Sequence, residues 1–286
     1  MCIRDSMNTP LLEFMHENPE VASINDSKAQ ILLTMQKLNL LHIPLVNTSN
    51  EVVGLETMPQ LLKKNSFNNP VFIMAGGFGQ RLMPLTKNTP KPMLHVGSKP
   101  ILESILDKFI TAGFHSFFIS LHYKGEIIKE YFGDGSRWGI SIYYIYEQEP
   151  LGTAGSLGLL PKDQINLPLI VINADLITEV SFNELLTFHA KHGGDATMCV
   201  QQCDFQVPYG VIESDEYQIT NIVEKPTQNL FINAGIYVLD PAILEDIDGD
   251  EYLDMPSMLN ERIRLDRQVN MFPIHEYWMD IGHIDN

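Results

Sequence analysis

Between residues 75 and 94 the chain reads AGGFGQRLMPLTKNTPKPML, which brings glycines and cations into one short run. Gly76, Gly77 and Gly79 remove side chains where a backbone has to turn sharply and approach a ligand. N–H groups left bare in such a turn form a concavity that binds anions. Arg81 and Lys91 add positive charge to the same neighbourhood, while Pro84, Pro90 and Pro92 stiffen the segment carrying Lys91. The chemistry this describes is capture of phosphate. A P-loop requires G-x-x-x-x-G-K-[ST], and that spacing fails here. A dinucleotide fingerprint started at Gly77 would place Leu82 where a third glycine must pack against a strand. A nicotinamide-dependent oxidoreductase is therefore disfavoured. Three glycines alone would read equally well as a tight turn; the cations and the PKP segment favour a ligand.

The run GGFGQRLMPLTKNTPKPML resembles the signature of the sugar-1-phosphate nucleotidyltransferases, and the resemblance covers about residues 70–283. It departs at Gln80, where the family usually carries Thr or Ser. Gln still donates a hydrogen bond, so altered phosphate contacts are expected rather than lost activity. The resemblance implies an Mg²⁺-dependent enzyme that joins an NTP to a sugar 1-phosphate and releases pyrophosphate. It implies Gly76, Gly77, Gly79 and Gln80 as nucleotide-binding positions and Arg81 and Lys91 as the catalytic cations. The attacking sugar-phosphate oxygen is already anionic at neutral pH. The obstacle is the approach of two anions, so catalysis rests on positioning and charge neutralisation.

Four further segments carry candidate residues. EQEPLGTAGSL (147–157) follows a strand; Gly152 would let backbone approach a planar ring, and Thr153 is placed to cap a helix. The segment resembles the family's base-recognition loop. NADLIT (173–178) puts Asp175 at the end of an apolar strand, where a carboxylate suits Mg²⁺ or caps a turn. Asp280, in YWMDIGH, is the second candidate ligand, and the resemblance makes the two aspartates a metal pair. PYGVIES (208–214), VEKPT (223–227) and FINAGIYVL (231–239) form the sugar site by resemblance, with Gly210, Glu224, Lys225 and Asn233 as its residues. Gly235 within a strand marks a close approach. Taken alone, Lys225 would read as a solvated surface lysine. His95, His122, His189 and His192 form no defensible metal or triad pattern and read as structural. No G-x-S-x-G is present to support a serine hydrolase.

The elements that must position these residues alternate. VFIMA (71–75), SFFISL (116–121), ISIYYIY (140–146) and LPLIVIN (167–173) read as strands, with helices over 100–113, 124–132 and from Thr153. That order predicts an α/β domain with a Rossmann-like, mixed and mainly parallel sheet, as the resemblance to nucleotide-diphospho-sugar transferases also implies. The later strands ATMCVQQ, YGVIES, QITNIVE and FINAGIYVL extend it. Ahead of this domain (69–286), residues 7–68 read as a small α+β unit. Asp26 or Ser27 caps a helix bearing Ile31, Leu32, Met35 and Leu38; a hairpin spans 42–46 and 51–56, and a helix covers 58–64. It resembles a single CBS motif, a module that usually works as a pair. Packing or homo-oligomer contact is preferred over a ligand cleft. The resemblance also implies a further helix beyond the Asp280 loop, so the chain is expected to stop short of the family's usual end.

The formal charge is −17, from 36 acidic and 19 basic residues, which disfavours nucleic acid and anionic membranes as partners. No apolar run is long enough for a membrane span, and MCIRDS at the start has no signal-peptide pattern. Cys2, Cys199 and Cys203 form no metal set. Cys199 and Cys203 are expected as buried thiols in a reducing, cytoplasmic setting. The CBS-like segment and EPLGTAG each resemble features of guanylyltransferases acting on mannose-like, heptose or amino-sugar phosphates, and that resemblance makes GTP the favoured triphosphate. A non-catalytic nucleotide-sugar-binding relative is the alternative, but it would be expected to have lost some of Arg81, Lys91, Asp175 and Lys225.

Overall fold

The computed structural model describes residues 18–58 and 66–282. These fall into two compact units, divided between residues 64 and 65.

In the first unit, α1 (Lys28–Lys37) packs on a three-stranded sheet of β1 (Ala22–Ser23), β2 (His42–Val46) and β3 (Val52–Thr57). Ser27, not Asp26, caps α1. Its hydroxyl accepts from the Gln30 amide while the Gln30 side chain returns to the Ser27 backbone. The core is Ala22, Ile31, Met35 and Ile43. Leu38 is exposed because α1 ends one residue earlier, so it does not share the buried face expected of it. The expected helix over 58–64 lies outside the described residues from residue 59 on.

The second unit is built on a seven-stranded sheet. Its strands are β4 (Val71–Met74), β7 (Ser116–Leu121), β8 (Ser141–Tyr146), β9 (Leu169–Asn173), β11 (Ala196–Gln206), β14 (Thr227–Leu239) and β15 (Val269–Ile274). Smaller pairs are β5 (His95–Val96) with β6 (Lys99–Pro100), β10 (Leu176–Thr178) with β16 (Trp278–Asp280), and β12 (Val211–Asp215) with β13 (Gln218–Val223). The spatial order is β15-β11-β14-β9-β4-β7-β8. β4 lies parallel to both β7 and β9; only the β14 pairings are antiparallel.

Continuous apolar strands follow from burial on both faces. Val71 and Ile73 of β4 point into one core with α2 (Ile101–Ala112), α3 (Gly125–Phe132) and α5 (Phe182–His192). Phe72, between them, points into the other core, with α6 (Met255–Arg264). Pro100 precedes α2 and Gly113, at φ 107°, ends it. No described helix is long and apolar enough to cross a membrane.

Two expectations fail here. A short helix α4 (Gly152–Gly155) begins before Thr153, which therefore does not cap it; the Thr153 hydroxyl accepts from the Met255 amide at 2.8 Å. Cys199 is buried but Cys203 is exposed, because β11 and β14 run on past the covered sheet as a ribbon with solvated side chains.

His189 is structural, as expected, with Nδ1 2.9 Å from the Thr197 hydroxyl oxygen. Burial holds its pKa below the usual imidazole value. A depressed histidine pKa contributes stability that is present above the unfolded value of about 6.5 and is lost as pH falls. The thermal midpoint should therefore drop between pH 7 and pH 5, and less so in His189→Gln. Equal drops would remove His189 as a source.

Candidate functional site

The carboxyl ends of β4, β7, β8 and β9 open into one cavity of about 520 Å³. Ligands in open α/β sheets bind at such ends. Its lining includes Gly76, Gly77, Gly79, Gln80, Arg81, Lys91, Gly152, Thr153 and Asp175, all singled out from the sequence.

The loop after β4 is fixed by local necessity. Gly79 has φ 61°, and a Cβ on it would meet Thr86 Cγ2 at 2.9 Å. Thr86 is fully buried, and its hydroxyl donates to the Gly79 carbonyl at 2.8 Å. A Cβ on Gly76 would meet Glu147 Oε1 at 2.7 Å. Gly77 needs no such relief: a Cβ there would meet nothing within 4 Å. Arg81 sits in a 3₁₀ turn (Gln80–Leu82) anchored by buried Leu82. It is exposed and has no acidic partner among the described residues.

Lys91 reaches across the cavity to Asp175 and forms an ion pair with its Oδ2. Asp175 Oδ1 is buried and has no hydrogen-bond partner among the described residues. Asp280 is brought close to Asp175 by the β10–β16 pair, where it faces Leu176, and the Ile281 amide donates to the Asp175 carbonyl. Asp280 itself is not part of the lining; its Oδ1 accepts from the amide of Gly282, which is. No group of three or more His, Cys, Asp or Glu able to hold a metal occurs among the described residues. Two carboxylates, one with an unsatisfied shielded oxygen, fit a hard cation such as Mg²⁺ that takes its other ligands from water and phosphate.

The glycines of the 147–157 loop are required by protein backbone, and Gly152 also lines the cavity. Gly152 has φ 77°, and a Cβ on it would lie 2.6 Å from the Leu253 carbonyl oxygen. A Cβ on Gly155 would lie 2.5 Å from that of Glu251. The Ala154 and Gly155 amides both donate to Leu253. This contact carries Tyr252 to the cavity wall, which no local pattern could have signalled. Glu147, Ser120 and Asn173 also line the cavity and were not singled out, although Glu147 opens the quoted motif.

Gly210, Glu224, Lys225 and Asn233 do not line the cavity. Glu224 and Lys225 lie on the exposed ribbon side, with Lys225 at φ 46°. Asn233 hydrogen-bonds within β14: Nδ2 donates to the Tyr237 hydroxyl at 2.6 Å, and Oδ1 accepts from the Gly235 amide at 2.9 Å. Gly235 is required because a Cβ there would lie 2.5 Å from Asn173 Nδ2, so the close approach is by a side chain of the cavity wall.

The family model described as nucleotidyl transferase matches residues 71–286. The chain belongs to the sugar-1-phosphate nucleotidyltransferase family. Similar members include the mannose-1-phosphate guanyltransferases of Pichia angusta and Schizosaccharomyces pombe. Each is 36% identical, over 225 and 224 residues, covering 73% of this chain and 60% of the relative. The chain thus spans about 60% of the length of these nucleotidyltransferase relatives. The crystal structure of HddC from Yersinia pseudotuberculosis, complexed with GMP-PN, is 28% identical. It superposes with a TM-score of 0.60 over 76% of this chain and 95% of that one. A glucose-1-phosphate thymidylyltransferase structure from Bacillus anthracis, 23% identical with a TM-score of 0.59, shares the fold.

Proposed function

We propose that this protein is a guanylyltransferase that converts GTP and a sugar 1-phosphate, with mannose 1-phosphate favoured, into GDP-sugar and pyrophosphate. The observation that carries this reading is the convergence of Arg81, Lys91 and Asp175 with the glycine loop in one cavity of an acidic protein. Its relatives are named for the same chemistry.

The bare amides of the 76–79 turn and the Gln80 amide group receive the triphosphate. Arg81, with no competing acid among the described residues, stabilises charge building on the departing pyrophosphate. Lys91, which lies beside Gly79, braces the triphosphate. The sugar-phosphate oxygen attacks the α-phosphorus in line, the bond to pyrophosphate breaks, and no covalent enzyme intermediate is needed. Asp175 and Asp280 would hold Mg²⁺, which when bound supplies neutralising charge to the phosphate oxygens. Lys225 and Glu224 are assigned to the sugar phosphate and its hydroxyls, with Gly210 leaving room beside Glu224. Asn233 is assigned to the same sugar site through the second N–H and oxygen lone pair that its bonds inside β14 leave open. The single CBS-like unit is read as a contact between copies rather than a ligand cleft, and the setting as cytoplasmic.

Glu147 favours guanine. Its Oε2 accepts from the Leu151 amide at 3.2 Å, and its carboxylate only accepts hydrogen bonds. Guanine's pairing edge sets two donors side by side, the N1–H and the N2 amino group, and a carboxylate can accept from both; adenine and the pyrimidines offer one donor group there, next to acceptors. Glu147→Gln should lower kcat/KM for GTP by about 10- to 100-fold relative to the other triphosphates. An unchanged ranking would remove Glu147 from base selection. The function itself is tested by incubating the protein with each NTP and a panel of sugar 1-phosphates while following pyrophosphate. GTP with mannose 1-phosphate should react fastest; no release with any pair would reject the reading.

A further inference from the structure

Asp175 uses its two oxygens differently. Oδ2 is held by the Lys91 ammonium, while Oδ1 is buried and unpartnered among the described residues. Both side chains are largely shielded, with 14% of Lys91 and 24% of Asp175 exposed. A shielded carboxylate needs a compensating cation. In this state Lys91 is that cation. Yet the proposed chemistry asks for the two groups separately, Lys91 for phosphate and Asp175 for a hard cation. A divalent ion placed on Oδ1 would sit only a few ångström, on the order of 4–5 Å, from the ammonium on Oδ2, and in this shielded setting the two charges repel, so each weakens the hold of the other.

We propose that the Lys91 ammonium and a divalent cation compete for the Asp175 carboxylate, so that the cation is taken up together with the triphosphate and not ahead of it. This inference rests on the reading of the cavity given under the proposed function. A triphosphate supplies the negative charge that draws Lys91 off Asp175, and the carboxylate, relieved of the ammonium, then takes the cation that arrives with it. The exchange gives one residue two successive partners. It also couples the two ligands: each binds better in the presence of the other, by the same factor. Arg81 takes no part in this exchange, because it has no acidic partner to leave.

The test is Mn²⁺ binding to the full chain without nucleotide, read from the electron paramagnetic resonance signal of the free ion. Lys91→Met should bind Mn²⁺ about tenfold or more tightly than the parent, within the usual range of coupling between sites. Lys91→Gln should show the same gain, which secures the result if one variant folds poorly. Arg81→Met removes a cation from the same cavity wall and should stay within about twofold of the parent, because its charge acts only at a distance across solvent. Lys91 variants no tighter than the parent would overturn the proposal. So would an equal gain in Arg81→Met, since the effect would then be one of general charge. Neither base nor sugar enters the measurement, so its outcome is separate from whether GTP and mannose 1-phosphate are substrates.

Discussion

Asp175→Asn should lower kcat by about 10³ or more, the scale expected if the proposed metal supplies several kcal/mol of charge stabilisation through this carboxylate. The substitution keeps the shape of the side chain and removes its charge. A neutral amide oxygen is a poorer ligand for a hard dication than a carboxylate. It also leaves the Lys91 ammonium, 14% exposed, without its acidic partner. Some loss of stability is therefore expected alongside, and turnover alone would not separate the two effects. The Mg²⁺ dependence does. The variant should need a much higher Mg²⁺ concentration for half-maximal pyrophosphate release. Superimposable titrations of variant and parent would show that Asp175 is not a metal ligand.

Arg81→Ala is the second large effect. Losing one preorganised electrostatic donor costs about 10²–10³ in turnover. Arg81 is exposed and unpaired among the described residues, so its removal leaves no orphaned charge behind. Stability should stay within about 0.5 kcal/mol of the parent. KM for the triphosphate should move less than kcat, because the developing charge on the leaving pyrophosphate is met only in the transition state. Pyrophosphate release at the parental rate would refute the role.

The fold was legible where periodicity and punctuation agree. β4, β7 and β8 stand within a residue of where their apolar runs put them, and α2 lies between its Pro and Gly signals. The cavity was legible where chemistry is local in the chain, as in the Gly76–Lys91 loop, or sits at a strand end, as Asp175 does. It was not legible where contacts are remote. Gly152 and Gly155 are glycine for the sake of backbone about a hundred residues later, and only the folded chain shows that neighbour. Nor does local pattern show that Asn233 lies at a bulge, where Met198 and Val200 of β11 pair with Tyr237 and Asn233 out of step. Cys203 alternates correctly with Cys199, yet burial depends on what covers the ribbon and not on period.

The most direct measurement is a crystal structure of the protein with GTP and Mg²⁺ in the absence of any sugar phosphate. The triphosphate should lie against the amides of Gly76–Gln80, with Arg81 and Lys91 on its oxygens and Lys91 withdrawn from Asp175. A triphosphate bound away from that loop, with the Lys91–Asp175 pair intact, would contradict the assignment of the cavity.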